Sequence, residues 1–379
     1  MGIGAHSLAL ERAKRNLPFS LVRGAKMGLA DQLTDCLRSA ILSGVYREGC
    51  VLPTRETLMT ALGVSERVPR MAFARLAAEG LVVPRPGIGC QVVGSRSMAW
   101  NGQVLLAVSE DGSPYYAVFS SAMRNRLMAR GWLLARASFS DARSLRMKNS
   151  ELDLVLSRPY SLAVLMLTMP GYGCIERRFA KMGMQYIAYN AAGARCRGRA
   201  GSIVISMDDA VERFVSHCRK AGVRRALQVG CGREGTVDVV GPLRNAGIAV
   251  EEIVCSANVP RLSLAGFQRA GVVALDAWLK KHAGRMPDIV FFSDDILAMA
   301  AFPVLLEAGL RVPEDIKVAT FSNFGIGPVW RKDFTRIEAD ATKDGEAVAD
   351  GVLSLLSGRS DALEVVLHRK YLPGDTFPV

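Results

Sequence analysis

Apolar residues recur every three or four positions early in the chain. Leu29, Leu33, Leu37, Ala40 and Ile41 form one helical stripe, which Gly44 closes. The segment YREGCVLP then turns the chain. Thr54 is placed to cap a second short helix with Leu58, Ala61 and Leu62 on its inner side and Gly63 at its end. Ser65 is placed to cap a third, in which Val68, Ala72, Phe73 and Leu76 face inward. After Gly80 the period changes from helical to alternating. LVV, the turn PRPGIG and CQVV read as a two-stranded hairpin. Three helices followed by a hairpin predict a winged helix-turn-helix, a form of the major-groove reader.

Beyond Val93 the pattern lapses through VGSRSMAWNG and then alternates between strand and helix. QVLLAVSE, WLLARASFS, SLAVLMLTM and MQYIAYN read as strands. YYAVFSSAMRNRLMARG, DARSLRMKNSELDLVLSR and GCIERRFAKMG read as the helices between them. A connector is expected around residues 191–202. The rhythm then resumes with the helix DAVERFVSHCRKAG and the strands RRALQVG, IAVEEIV, DIVFFSD and KVATFSN. This predicts an α/β protein with a doubly wound parallel sheet, built as two similar lobes in succession with a cleft between them. The expected division is an N-terminal extension at 1–26, the winged head at 27–94, a linker at 95–101 and a two-lobed effector-binding domain at 102–379.

Charge sharpens the reading of the head. The net charge is +12, and residues 1–97 hold 13 Lys or Arg against 7 Asp or Glu, half of that surplus in a quarter of the chain. Such a bias fits a polyanion partner, because basic side chains gain by displacing phosphate counterions. The eight cysteines form no CxxC pair and the four histidines are far apart, which argues against structural zinc. Free thiols in that number suit a reducing cytosol. No signal peptide or membrane-spanning run is evident, so a cytoplasmic location is expected, without a membrane partner.

The run LRSAILSGVYREGCVLPTRETLMTALGVSERVPRMAFARLAAEGLVVPRPGIGCQVVG resembles the GntR family of winged-helix regulators. The likeness runs from the "I-x-x-G" of the first helix through "LP[ST]" and "LGVS" to "L-x-x-EGLV" and the "G-x-G-x-x-V" wing. It implies double-stranded DNA as partner, met by Arg55, Ser65, Arg67 and Arg70 at the second and third helices and by Arg85, Gly87 and Gly89 in the wing. A guanidinium on the reading helix can grip a guanine edge or a phosphate. Arg75 is expected to face backbone or solvent. Family arginines align with Glu56 and Glu66 here, and only Arg70 stands at a family arginine position.

DIVFFSDDILAMAAFPVLLEAGLRVPEDIKVATFSN resembles the C-terminal lobe of LacI/GalR-type sensors, which share the fold of periplasmic sugar-binding proteins. A GntR-type head on such a sensor is an arabinose-repressor-like arrangement. The resemblance implies a homodimeric transcriptional regulator, of repressor type, answering to a small effector such as a sugar. Loop positions would hold that effector: Asp111, Tyr115, Tyr116 and Asn190 from one lobe, and Asp294, Asp295, Ser322 and Asn323 from the other. Equally, Asp295 could cap the following helix and Asp294 merely turn the chain. The usual effector-binding arginine falls near Gly235, and Ser322 replaces the usual corner aspartate.

Three other classes of function compete with this reading. A cytoplasmic solute-binding or interaction protein with a degenerate head takes Glu56 and Glu66 as its motive. Gly230 to Gly235 spell G-x-G-x-x-G after a strand, with Glu251 following, as in dinucleotide sites. Gly241-Pro242 would interrupt the helix such a site needs. No nucleophile elbow or H-E-x-x-H is present, so neither an enzyme nor a cofactor is expected.

Overall fold

The structure is a computed structural model. It describes residues 17–24, 28–93, 100–109, 113–139, 151–166, 173–189, 199–230, 237–255, 264–282, 284–359 and 363–378.

The head consists of α1 (Leu29–Leu42), α2 (Arg55–Leu62), α3 (Arg67–Ala78) and the strands β1 (Val82–Arg85) and β2 (Gly89–Val92). Thr54 caps α2 as its side chain chemistry requires, with Thr57 N–H donating to its hydroxyl at 3.1 Å. Gly63 ends the helix in the left-handed region at φ 63°, where a Cβ would be strained. α3 begins differently from expectation. Its N-cap is Glu66, without a side-chain cap bond, and the Val68 N–H that a Ser65 hydroxyl would have received goes to the Ser65 carbonyl at 3.0 Å. Pro69, third in α3, has no N–H to satisfy, so a side-chain cap has less to offer. The hairpin pairs Val82 with Val92 and Arg85 with Gly89 in antiparallel register. Leu33, Leu37, Leu58, Ala72, Leu76, Val82 and Val92 bury against one another beneath these elements.

The head's core reaches upstream of residue 27. Phe19 and Val22 are buried, and the Val22 backbone bonds both ends of the Gln32 amide, at 2.9 and 3.0 Å. The strap that includes Phe19 also touches the next domain, where Ser20 N–H donates to the Ser157 carbonyl at 3.2 Å. The Cys36 thiol of α1 lies 3.6 Å from that same oxygen.

The first lobe contains β3 (Gly102–Ser109), α4 (Tyr115–Met128), β4 (Trp132–Phe139), α5 (Glu151–Leu156), β5 (Leu162–Met166), α6 (Gly173–Met182), β6 (Tyr186–Tyr189) and β7 (Arg199–Ser206). The second contains α7 (Asp208–Lys220), β8 (Arg225–Gly230), α8 (Val240–Asn245), β9 (Ala249–Val254), α9 (Leu264–Lys281), β10 (Ile289–Phe292), α10 (Asp295–Glu307), β11 (Lys317–Asn323) and β12 (Thr335–Ala339). The chain then makes α11 (Ala341–Leu356), β13 (Leu363–His368) and β14 (Lys370–Leu372).

The two sheets have strand orders β13-β7-β6-β5-β3-β4 and β14-β12-β11-β10-β8-β9, and every pairing is parallel except that of β14 with β12. β5 and β10 are buried along their whole length, as strands covered on both faces must be. The lobes are therefore similar but not simply successive. α11 and β13 return to the first lobe, so the chain crosses between lobes three times, at Ser206–Asp208, Ala339–Ala341 and His368–Lys370. β7 occupies part of the segment expected to be a connector. The apolar run in its sequence RAGSIVIS is only three residues long, Ile203 to Ile205, and its partner β13 lies far along the chain.

Candidate DNA-reading face and effector cleft

α3 turns a mixed face to its surroundings. Ala72 and Leu76 are fully buried, Val68 and Phe73 pack partly against the core, and Arg67 and Arg70 are exposed. Arg75 is paired with Asp31 of α1, which takes it out of the exposed set. Arg55, the first residue of α2, reaches across the turn to Glu66, with Nη1 3.5 Å from Oε1. At the wing, Gly87 and Gly89 adopt φ 76° and 114°, and Ile88 between them is 60 % exposed. Arg85, Gly87 and Gly89 are all exposed. The arginines expected from the sequence thus share the exterior of one small domain, and Arg55 carries an acidic neighbour that the sequence did not reveal.

The cleft side is more heavily committed internally. Tyr115, opening α4, donates its hydroxyl to Asp344 Oδ2 at 2.6 Å, and Arg369 holds the same carboxylate at 2.9 Å. Asp344 lies on α11, while Arg369 stands in the third crossover, where its N–H donates to the Ser206 carbonyl of the first. Burial pushes the Asp344 carboxyl up, against the pull of Arg369 and the Tyr115 hydroxyl. It also pushes the Tyr115 phenol well above its ordinary value. Tyr116 is buried in the first lobe's core, its ring edge-on to Tyr115.

In the second lobe neither aspartate takes the local role considered for it. Asp294 caps α10, accepting from Ile296 N–H at 2.8 Å and from Leu297 N–H at 3.3 Å. Asp295 is 2 % exposed and accepts from the backbone and side-chain N–H of Asn323 at 2.9 and 2.8 Å. It ties the start of α10 to the end of β11. Ser322 is buried beside them, close against Gly327, where an added Cβ would strike its hydroxyl. Ser293, just after β10, has a buried hydroxyl that finds no hydrogen-bond partner among the described residues. Asp111, Asn190 and the loop after Gly230 lie outside the described residues. The helix beyond that loop, α8, spans only six residues with Pro242 in its first turn, which fits poorly with an unbroken pyrophosphate-binding helix.

Arg369, Asp344 and Tyr115 carry no signal that sequence reasoning used to group them. Their placement follows from the third crossover. Among the described residues no His, Cys, Asp and Glu cluster could hold a metal ion, and no helix is long and apolar enough to cross a membrane.

A three-helix head with a hairpin wing, carried on two parallel-sheet lobes linked by three crossovers, defines a winged-helix protein with a periplasmic-binding-protein-like body. The family comparisons agree. Residues 29–92 match the family model of the bacterial regulatory proteins, gntR family, and residues 212–377 match that of the periplasmic binding protein-like domain. The uncharacterized HTH-type transcriptional regulator YieP of Escherichia coli (strain K12) is 37% identical over 82 residues, 22% of this chain and 36% of that protein. The HTH-type transcriptional repressor PurR of Aliivibrio fischeri (strain MJ11) is 28% identical over 86 residues, 23% of this chain and 26% of its own length. The chain thus spans about a third or less of these relatives. A LacI family transcriptional regulator from Arthrobacter sp. FB24, solved in complex with lactose, shares the fold of the body. Its TM-score is 0.56 at 21% identity, over 73% of this chain and 98% of that one.

Proposed function

We propose that this chain is a sequence-specific, DNA-binding transcriptional regulator of repressor type, whose operator affinity is set by a small ligand in the cleft. The observation that carries the reading is the exposure of Arg67 and Arg70 on α3 of a gntR-type head joined to a two-lobed body. In a helix-turn-helix the first residues of the second helix meet base edges, and the wing flanks them. On this reading Arg55, Ser65, Arg67, Arg70, Arg85, Gly87 and Gly89 form the DNA face. Two heads of a cytoplasmic homodimer would occupy half-sites about 34 Å apart. The effector, a sugar in the simplest case, would lie between the lobes near Asp111, Tyr115, Tyr116, Asn190, Asp294, Asp295, Ser322 and Asn323. Because Asp295 is tied to Asn323 and Tyr115 to Asp344, these groups would shape the cleft walls more than grip the ligand. Closure around ligand would change head separation through a coupling of about 1–3 kcal/mol.

The test is binding of the full chain to genomic and random duplexes at graded salt. Affinity should fall steeply with salt, and Arg70→Ala should cost about 1–3 kcal/mol and relax selection at one base position. Salt-insensitive or absent retention of every duplex would refute the reading and leave a solute-binding body with an inert head.

A further inference from the structure

Glu66 is an acid at a place where acids are costly. It immediately precedes α3, makes no side-chain cap bond, and leaves its side chain 65% exposed beside the exposed Arg67 and Arg70. Close to DNA such a carboxylate meets phosphate repulsion, unless a cation neutralises it and a hydrogen-bond donor receives it. The cation is present, since Arg55 Nη1 stands 3.5 Å from Glu66 Oε1, across the turn between the two helices. In the major groove only two base groups donate: the N4 amino of cytosine and the N6 amino of adenine. Adenine sets its N7 acceptor beside the amino group, which repels a carboxylate. Cytosine sets only a C–H there.

We propose that Glu66 is a specificity-determining residue that accepts a hydrogen bond from a cytosine amino group, with Arg55 as the positioning residue that holds and neutralises its carboxylate. The inference rests on the DNA-binding reading above. It assigns the acidic position a function in selection, with an operator that carries a cytosine where Glu66 lands. Arg67 and Arg70, next on the helix, suit the acceptor-rich guanine edges nearby.

The experiment selects duplexes from a randomised pool with the full-length protein and with Glu66→Gln, followed by affinity measurements on single-base variants at one salt concentration. The native protein should require cytosine at one position of each half-site, with each other base costing roughly tenfold. E66Q should lose that requirement or move it to adenine, which a glutamine amide can bond at N6 and N7. Its preferences elsewhere should be unchanged. A uniform change in affinity with the cytosine requirement intact would overturn the proposal, because it would leave Glu66 a purely electrostatic part of the helix start. Thermal melting checks that E66Q folds. Should it not, Arg55→Ala gives the second reading, and an unaltered cytosine preference in that variant defeats the positioning role. If the native protein itself retains no duplex in a salt-dependent way, the DNA-binding reading fails and the inference falls with it, an outcome distinct from the others.

Discussion

Arg70 and Arg75 sit on the same helix and carry the same charge, yet their surroundings separate them. Arg75 is engaged by Asp31 and serves the packing of α3 on α1, whereas Arg70 is exposed on the outer face. The sequence already sets Arg75 further along the helix than Arg70, and the structure adds the partner on α1 that holds it. His217 makes a second argument at this scale. It is buried on α7, stacked on Phe377 with ring centroids 3.9 Å apart, and its Nε2 donates to the Pro378 carbonyl at 3.0 Å. That leaves Nδ1 to accept from the Tyr371 hydroxyl. Burial lowers its pKa below the ordinary 6.5. As pH falls through 6.5 the unfolded imidazole takes up a proton that the folded one resists, so stability held at neutral pH is lost on acidification. Melting followed from pH 7.5 to 5 should show this loss, and His217→Gln should flatten that part of the profile. An unchanged slope would show that His217 titrates alike in both states.

Among the elements, α4 and α11 depend on one small residue. Gly345 lies where α11 meets α4, and a Cβ there would stand 2.4 Å from the Phe119 carbonyl oxygen. Backbone cannot swing aside as a side chain can. Gly345→Ala should therefore destabilise the first lobe by about 1–3 kcal/mol, read from denaturant unfolding. Gly271→Ala on α9 should cost less, because the one close approach of its new methyl would be to the end of the Leu297 side chain, with Ala301 at ordinary contact distance. The same helix pair explains part of what the sequence concealed. α11 has a legible amphipathic pattern and an Asp340 cap, but nothing in its own residues says which lobe it covers. β7 was hidden for the related reason that a half-buried strand rich in Gly and Ser carries little period-two signal.

At the scale of the whole molecule, the head is docked against the first lobe as well as tethered to it. Ser157, beyond α5, receives both the Ser20 N–H and the Cys36 thiol, and burial pushes that thiol up to about 12. Exposed Cys50 makes the contrast within the same head. Alkylation at neutral pH should therefore modify Cys50 first and leave Cys36 protected. Tyr160, whose phenol burial raises to about 12, packs against the first lobe's core three residues beyond Ser157. Replacing it with alanine should speed Cys36 labelling by roughly tenfold through easier undocking. Equal protection in both proteins would mean that the head's own core, and not the docking contact, shields the thiol. A docked head would feel any rotation of the first lobe, which is the mechanical link that an effector response requires.

Short-range rules made much of this protein readable from its residues alone. The three helices of the head, the Thr54 cap, the left-handed Gly63 stop, the hairpin and the alternation of strand and helix all depend on neighbours within a turn or a pleat. Tertiary structure decided the pairings between distant residues. Asp295 meets Asn323 across 28 residues and Tyr115 meets Asp344 across 229, and Arg55 finds Glu66 only because two helices fold onto one core. The threefold crossing that sends α11 and β13 back to the first lobe belongs to the same class. Strand order and ion pairing minimise energy over the whole assembled sheet and core, so no local pattern of apolar and polar positions can encode them by itself.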